Sequence, residues 1–167
     1  SAYAKHAGII LESNPNYVLC PIGSGKLWLS IVRKIEEQGL ETRVVGFTPA
    51  DKNPFFHDFR EGEAWDLRSL ADKLTSPYTA LAEQVMSRAP RHRVFELDER
   101  QIRKTYNKAR RMRVMCEPSG AVGFAYYQKR IRKELEIDRK DSVMIVSSGS
   151  GLGDQLKRFE KGRIGRG

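Results

Sequence analysis

The sequence predicts an α/β fold: a three-layer, open and mostly parallel sheet with helices on both faces. Three observations carry this. Residues 17–47 read as strand, helix, strand with the spacing of a βαβ unit, the connection that a parallel pair requires. Strand-like and helix-like stretches keep alternating beyond it. The first and last strands each run into a Gly/Ser loop, and open parallel sheets gather ligands at the carboxyl ends of their strands.

The elements follow in order. Residues 2–12 suit a helix with Ala4, Ala7, Ile10 and Leu11 on one face, ended by Asn14-Pro15-Asn16. Tyr17 to Ile22 is a short apolar run, expected as a buried strand. Gly23-Ser24-Gly25 turns the chain into a helix over 25–38. There Leu27, Ile31 and Ile35 form a stripe flanked by Trp28 and Val32, and Gly39 supplies a C-cap. TRVVGF at 42–47 is the second strand. From Thr48 to about Pro77 the chain is irregular and rich in Pro, Asn and Asp, the mark of a long functional loop with short helical pieces. A helix is expected over 78–88 and a strand over 93–97. Asp98 with Gln101 three residues on makes a capping box for a helix running to about Arg111. Glu117-Pro118-Ser119-Gly120 opens another helix carrying Ala121, Phe124, Ala125 and Gln128. SVMIVSSGSGLGD reads as a last buried strand entering a loop. Residues 1–161 form one α/β domain, expected to be part of a longer two-domain parent, and 162–167 a flexible basic tail.

The 167 residues, 40% hydrophobic and 31% charged, suit one globular domain with its own core. No apolar run reaches the length of a membrane span, and the opening residues do not read as a signal peptide. The two cysteines, Cys20 and Cys116, each sit in an apolar, strand-like run and are expected as buried free thiols, which fits a cytoplasmic setting. His6, His57 and His92 are scattered, and no metal site is expected. The net charge is +9, with Lys and Arg crowded into RQIRKTYNKARRMR, QKRIRKELEIDRK and LKRFEKGRIGRG. We read these runs as solvated helix faces in preference to a nucleic-acid footprint, because aromatics are not interleaved with them along the sequence.

GSGK at 23–26 raises the question of a phosphate site. A nucleotide-triphosphate P-loop needs an earlier glycine and a hydroxyl after the lysine; here those positions hold Cys20 and Leu27, so that reading is rejected. The physics of an anion cradle remains. Free N–H groups at a helix start, glycines and the Ser24 hydroxyl all favour a phosphate, and Lys26 adds charge. From this turn alone an ordinary βα connection is an equal alternative. VSSGSGLGD offers a second loop for the same rim, and Glu117 faces the same crevice or serves only as a helix-start carboxylate.

Five stretches stand in one order: CPIGSGKLWLSI, RVVGFTPADKNP, SLADKLTSPY, VFELDERQIRKTYNKARRMRVMCEPSGAVGFAYY and VMIVSSGSGLGD. They resemble, in that order, the Pro-Val-Gly-x-Gly-Gly-Leu loop, the Gly-Val-x-Pro strand, the Ala-Asp-Gly-Leu segment, the Glu-Pro-Ser-Gly-Ala helix and the closing strand of fold type II pyridoxal-phosphate enzymes. That is the group of threonine synthase, threonine dehydratase, cysteine synthase and the tryptophan synthase β chain, and the chain is similar to its C-terminal half. The resemblance implies that Gly23, Ser24, Gly25, Lys26 and Leu27 hold the pyridoxal phosphate through its phosphate. It also implies that Ser148 meets the pyridine nitrogen and that Glu117 lies near the ring. A neutral hydroxyl at that nitrogen tunes the cofactor toward elimination and replacement on amino acids.

The departures bear on activity. Lys26 and Lys73 stand where the family has glycine, Ser150 replaces a histidine and Gly153 a lysine. The family's Schiff-base lysine belongs to an N-terminal half, and no matching segment precedes CPIGSGK here. The chain is therefore expected to be a cofactor-binding half of a lyase or synthase, inactive alone. Its expected partners are the missing N-terminal half and an amino-acid substrate; family members are commonly dimers, so a homodimer stays open. Two other readings stand beside it: a non-catalytic relative with a regulatory or binding role, and a basic nucleic-acid-binding α/β domain.

Overall fold

The computed structural model of the chain describes residues 2–60 and 64–149. Its elements are α1 (Ala2–Leu11), β1 (Tyr17–Pro21), α2 (Lys26–Gln38), β2 (Arg43–Pro49), α3 (Ala82–Met86), β3 (Arg93–Leu97), α4 (Glu99–Arg111), α5 (Pro118–Ala121), α6 (Lys129–Glu134) and β4 (Val143–Ile145). Two 3-10 segments, Asp72–Leu74 and Val122–Tyr127, lie between them.

The four strands form one parallel sheet in the order β3-β2-β1-β4. Successive residues of β1 point to opposite faces, and both faces are covered. Val18 and Cys20 join Val44, Val94 and the inner sides of α1, α2 and α3 on one face. Leu19 joins Val45, Phe47, Ile102 of α4, Val122 and Ile131 of α6 on the other. Trp28, on the first turn of α2, is fully buried in the first of these layers. Truncating so large a buried ring costs about 3–5 kcal/mol.

The connections decide where a site can form. From β1 the chain crosses one face through α2 and arrives at β2. From β3 it crosses the other face through α4, α5 and α6 and returns on the far side of β1, at β4. The carboxyl ends of β1 and β4 therefore flank a topological switch point, the crevice where doubly wound sheets bind ligands.

Most sequence expectations hold, with local differences. α2 ends at Gly39 in the left-handed region (φ 63°), and α4 starts with the full Asp98–Gln101 capping box. In α1, Ala7 and Leu11 are buried while Ala4 is exposed, so only its second half packs. The helix expected over 78–88 is only Ala82–Met86. The single helix expected from Pro118 is a four-residue α-turn followed by 3-10 winding over Val122–Tyr127. Cys116 is buried but not in a strand, because Arg113 takes a positive φ (59°) and breaks the backbone after α4. The last strand is three residues long and half-buried rather than buried. No helix among the described residues is long and apolar enough to cross a membrane. Ser150, Gly153 and the tail at 162–167 lie outside the described residues.

Candidate active site

The site grows from the end of β1. Gly25 is the N-cap of α2 at φ 86°, a left-handed backbone that favours glycine, and no side chain caps the helix. The first intrahelical bond runs from Leu29 N–H to the Gly25 carbonyl at 2.9 Å. The N–H groups of Lys26, Leu27 and Trp28 thus precede the helical ladder and point out of its start, where the dipole of a 13-residue helix favours an anion. The Thr79 hydroxyl donates to the Ser24 carbonyl at 2.7 Å and pins the turn.

The glycines of this loop make room for protein as well as for a ligand. A Cβ on Gly25 would come 2.9 Å from Val85 Cγ2, and one on Gly23 would come 3.2 Å from the Leu74 Cα. Substitutions at either position would therefore disturb packing together with any cradle.

The second wall comes from the end of β4. The pairing of β4 with β1 continues as Val146 N–H donates to the Leu19 carbonyl at 2.8 Å. The chain then passes over the start of α5. The Glu117 N–H donates to the Gly149 carbonyl at 3.2 Å. Gly149 has φ 86°, and a Cβ there would lie 2.3 Å from Glu117 Oε1. A Cβ on Gly120 would lie 2.1 Å from the Ser148 carbonyl oxygen. Loop and helix start touch backbone to backbone, which is what holds Ser148 in place.

Between these walls is a cavity of about 200 Å³ lined by Gly23, Ser24, Gly25, Lys26, Leu27, Trp28, Lys73, Leu74 and Ser148, with Tyr3, Pro21 and Ile22. The two Gly/Ser loops, more than a hundred residues apart in sequence, thus share one rim. Enclosed small-molecule sites commonly measure about 300–1,000 Å³, so this is an open half-pocket.

Glu117 stands behind this wall. Its side chain is 10% exposed and forms an ion pair with Lys73, whose own side chain is 61% exposed. The Lys73 backbone N–H also donates to Ser119 Oγ at 3.3 Å. Sequence reasoning noted Lys73 only as a departure; the structure makes it a cavity-lining residue and the counter-ion of Glu117. Nothing in the sequence signals that pairing, since 44 residues separate the two.

The donor set fits a phosphate joined to a ring. Amides at an uncapped helix start, Ser24 and Lys26 line the cavity together with Ser148 from the other loop. Cys20, one residue before Pro21, does not line the cavity; burial pushes its thiol up to about 12, which makes it a poor nucleophile. Burial also raises Cys116.

The family model described as pyridoxal-phosphate dependent enzyme matches residues 5–149. Among solved structures, serine racemase from Dictyostelium discoideum superposes with a TM-score of 0.66 at 21% identity, covering 89% of this chain and 48% of that one. A threonine deaminase from T.th. gives 0.69 at 16% identity, covering 89% and 55%. An L-serine ammonia-lyase from Rhizomucor miehei gives 0.69 at 18%, covering 95% and 56%. At these identities the likeness shows the fold, and the chain spans about half the length of the structures it matches. No curated protein matches the sequence.

Proposed function

Because the chain belongs to the family of pyridoxal-phosphate dependent enzymes, we propose that it is the cofactor-binding half of an enzyme that carries out elimination or replacement on an amino acid. The observation that carries this reading is the single cavity lined by the uncapped start of α2 and by Ser148. In this reading the N–H groups of Lys26, Leu27 and Trp28 and the Ser24 hydroxyl grip the phosphate, and Lys26 adds charge. The Ser148 hydroxyl would meet the ring nitrogen. When bound, pyridoxal phosphate supplies the electron sink for chemistry at the amino-acid carbon.

The chain's own contribution is to anchor and orient. The group this rim would offer to the ring nitrogen is the neutral Ser148 hydroxyl, because Glu117, ion-paired with Lys73, does not line the cavity. This chain spans about half the length of the matched structures, which supports a second half that brings the cofactor-holding lysine and substrate contacts. On this reading the chain alone does not turn over substrate. Two buried free thiols fit a reducing, cytoplasmic setting. One observation favours a second reading, a non-catalytic relative with a binding role: Lys73 stands in the cavity wall, in a segment where the resemblance expects glycine.

Trp28 lies in the cavity wall and Trp65 does not, so Trp65→Phe leaves one local reporter. Pyridoxal phosphate should quench it saturably, and pyridoxal, lacking the phosphate, should bind at least tenfold more weakly. Equal affinities, or no quenching by either, would overturn the assignment of the loop.

A further inference from the structure

Away from the cavity, α4 and α6 form one basic surface. The stretch from Arg100 to Arg113 holds seven basic residues and no acidic one, and Lys129 to Lys133 holds four more. The two helices are tied together. Gln128, the N-cap of α6, donates its side-chain amide to the Gln101 carbonyl at 2.9 Å and to Thr105 Oγ1 at 2.7 Å on α4.

Ile102, Thr105 and Ala109 are the buried side of α4. Helical spacing places Arg100, Lys104, Asn107 and Arg111 on the opposite, outward stripe, and all four are exposed. The stripe is about 16 Å long at roughly 1.5 Å per residue, the rise of about five nucleotides at about 3.4 Å each. Among the described residues, none of the basic side chains on α4 or α6 pairs with a carboxylate, whereas Lys34, Lys73 and Arg88 elsewhere do.

Along the sequence these charges lack interleaved aromatics; in the fold they have them. Lys108 lies over the Tyr127 ring at 5.0 Å, Arg110 over Tyr106 at 5.7 Å and Arg132 over Tyr126 at 5.8 Å. These contacts fix long side chains that would otherwise lose rotamer entropy on binding. They also cover ring faces that stacking on bases would need, which points to backbone rather than base contacts. The outward stripe carries no apolar side chain, and the exposed Met112 and Met115 lie past the end of α4, so an anionic membrane would find no apolar face running along the charges.

We infer that the α4–α6 surface binds the phosphodiester backbone of nucleic acid without regard to sequence. This goes beyond the cofactor reading and stands or falls separately, since none of its residues lines the cavity.

The test is fluorescence anisotropy of a short labelled duplex of mixed sequence, titrated with the whole chain at several salt concentrations. Engagement of about five phosphates, by Arg100, Lys104 and Arg111 of α4 together with basic residues of α6, gives a log–log salt slope of roughly −4.5, so quadrupling the salt weakens binding about 500-fold. Replacing Arg100, Lys104 and Arg111 together by Gln, a good helix former, should reduce that slope by about 2.7 and leave cofactor binding unchanged. The set Lys129→Gln, Arg130→Gln and Lys133→Gln serves as the second variant, with folding checked by circular dichroism. No duplex binding at low salt, a slope near zero, wild-type affinity in both variants, or binding to anionic vesicles in place of duplex would each overturn the proposal.

Discussion

Gly120→Ala tests how the site is held together. The added methyl would sit 2.1 Å from the Ser148 carbonyl oxygen and 3.0 Å from that of Gly149. A carbon–oxygen contact needs about 3.3 Å, so α5 and the loop after β4 must separate by about 1.2 Å. Both contacts are to backbone, so no side chain can rotate away. Overpacking of this kind costs about 1–3 kcal/mol, and the Glu117 N–H to Gly149 carbonyl bond stretches with it. Ser148 keeps its hydroxyl but loses its position. Displacements near 1 Å can cost about a hundredfold where geometry matters; for binding alone we expect roughly a tenfold weaker pyridoxal phosphate affinity. Urea denaturation gives the stability change, and Trp28 quenching in the Trp65→Phe background gives the affinity. A variant that keeps both wild-type values would show that this contact does not position Ser148, and the reasoning would fail.

Asp98→Ala removes the α4 capping box, in which Asp98 Oδ1 accepts from the Gln101 N–H at 2.7 Å, and should cost about 1 kcal/mol in urea denaturation. Burial first, and then the neighbouring Arg91 charge, lowers His92 to about 4, against about 6.5 in the unfolded chain. Its neutral form is therefore favoured by folding: the stabilisation is present above pH 6.5 and is lost as pH falls through 4, in total roughly 3 kcal/mol. Urea midpoints measured down this window should fall more steeply for the wild type than for His92→Gln. Cys20 and Cys116 should resist alkylation in the native protein and react only on unfolding, which thiol labelling followed by mass measurement reads directly.

The parts legible in the sequence are those whose signals are local. β1, α2 and β2 show because an apolar run, a 3.6-period stripe and a second apolar run follow one another between glycines. The Asp98–Gln101 box fixes the start of α4 for the same reason. Other features depend on distant contacts. The 3-10 winding of Val122–Tyr127 goes with a close approach of Gly123 to β1, where a Cβ would meet the Leu19 carbonyl oxygen at 3.1 Å. α6 hides in a charged stretch because only Ile131 of its six residues is buried. Within the site, the loop at 23–27 and Ser148 are readable as strand-end Gly/Ser turns. Their convergence depends on strand order, which places β4 beside β1. The Lys73–Glu117 pair and the aromatic supports of the basic surface join residues far apart in sequence, and no period or motif reports them.

If the two strand-end loops form one pocket for a phosphate-bearing ring, both must sense the same ligand. Amide chemical-shift mapping by NMR during a pyridoxal phosphate titration follows both loops at once. The amides of Gly23 to Trp28 and of Ser147 to Gly149 should move together with one saturation curve, while those of α4 and α6 stay still. Shifts confined to one loop, or concentrated on the basic α4–α6 surface, would contradict a single pocket.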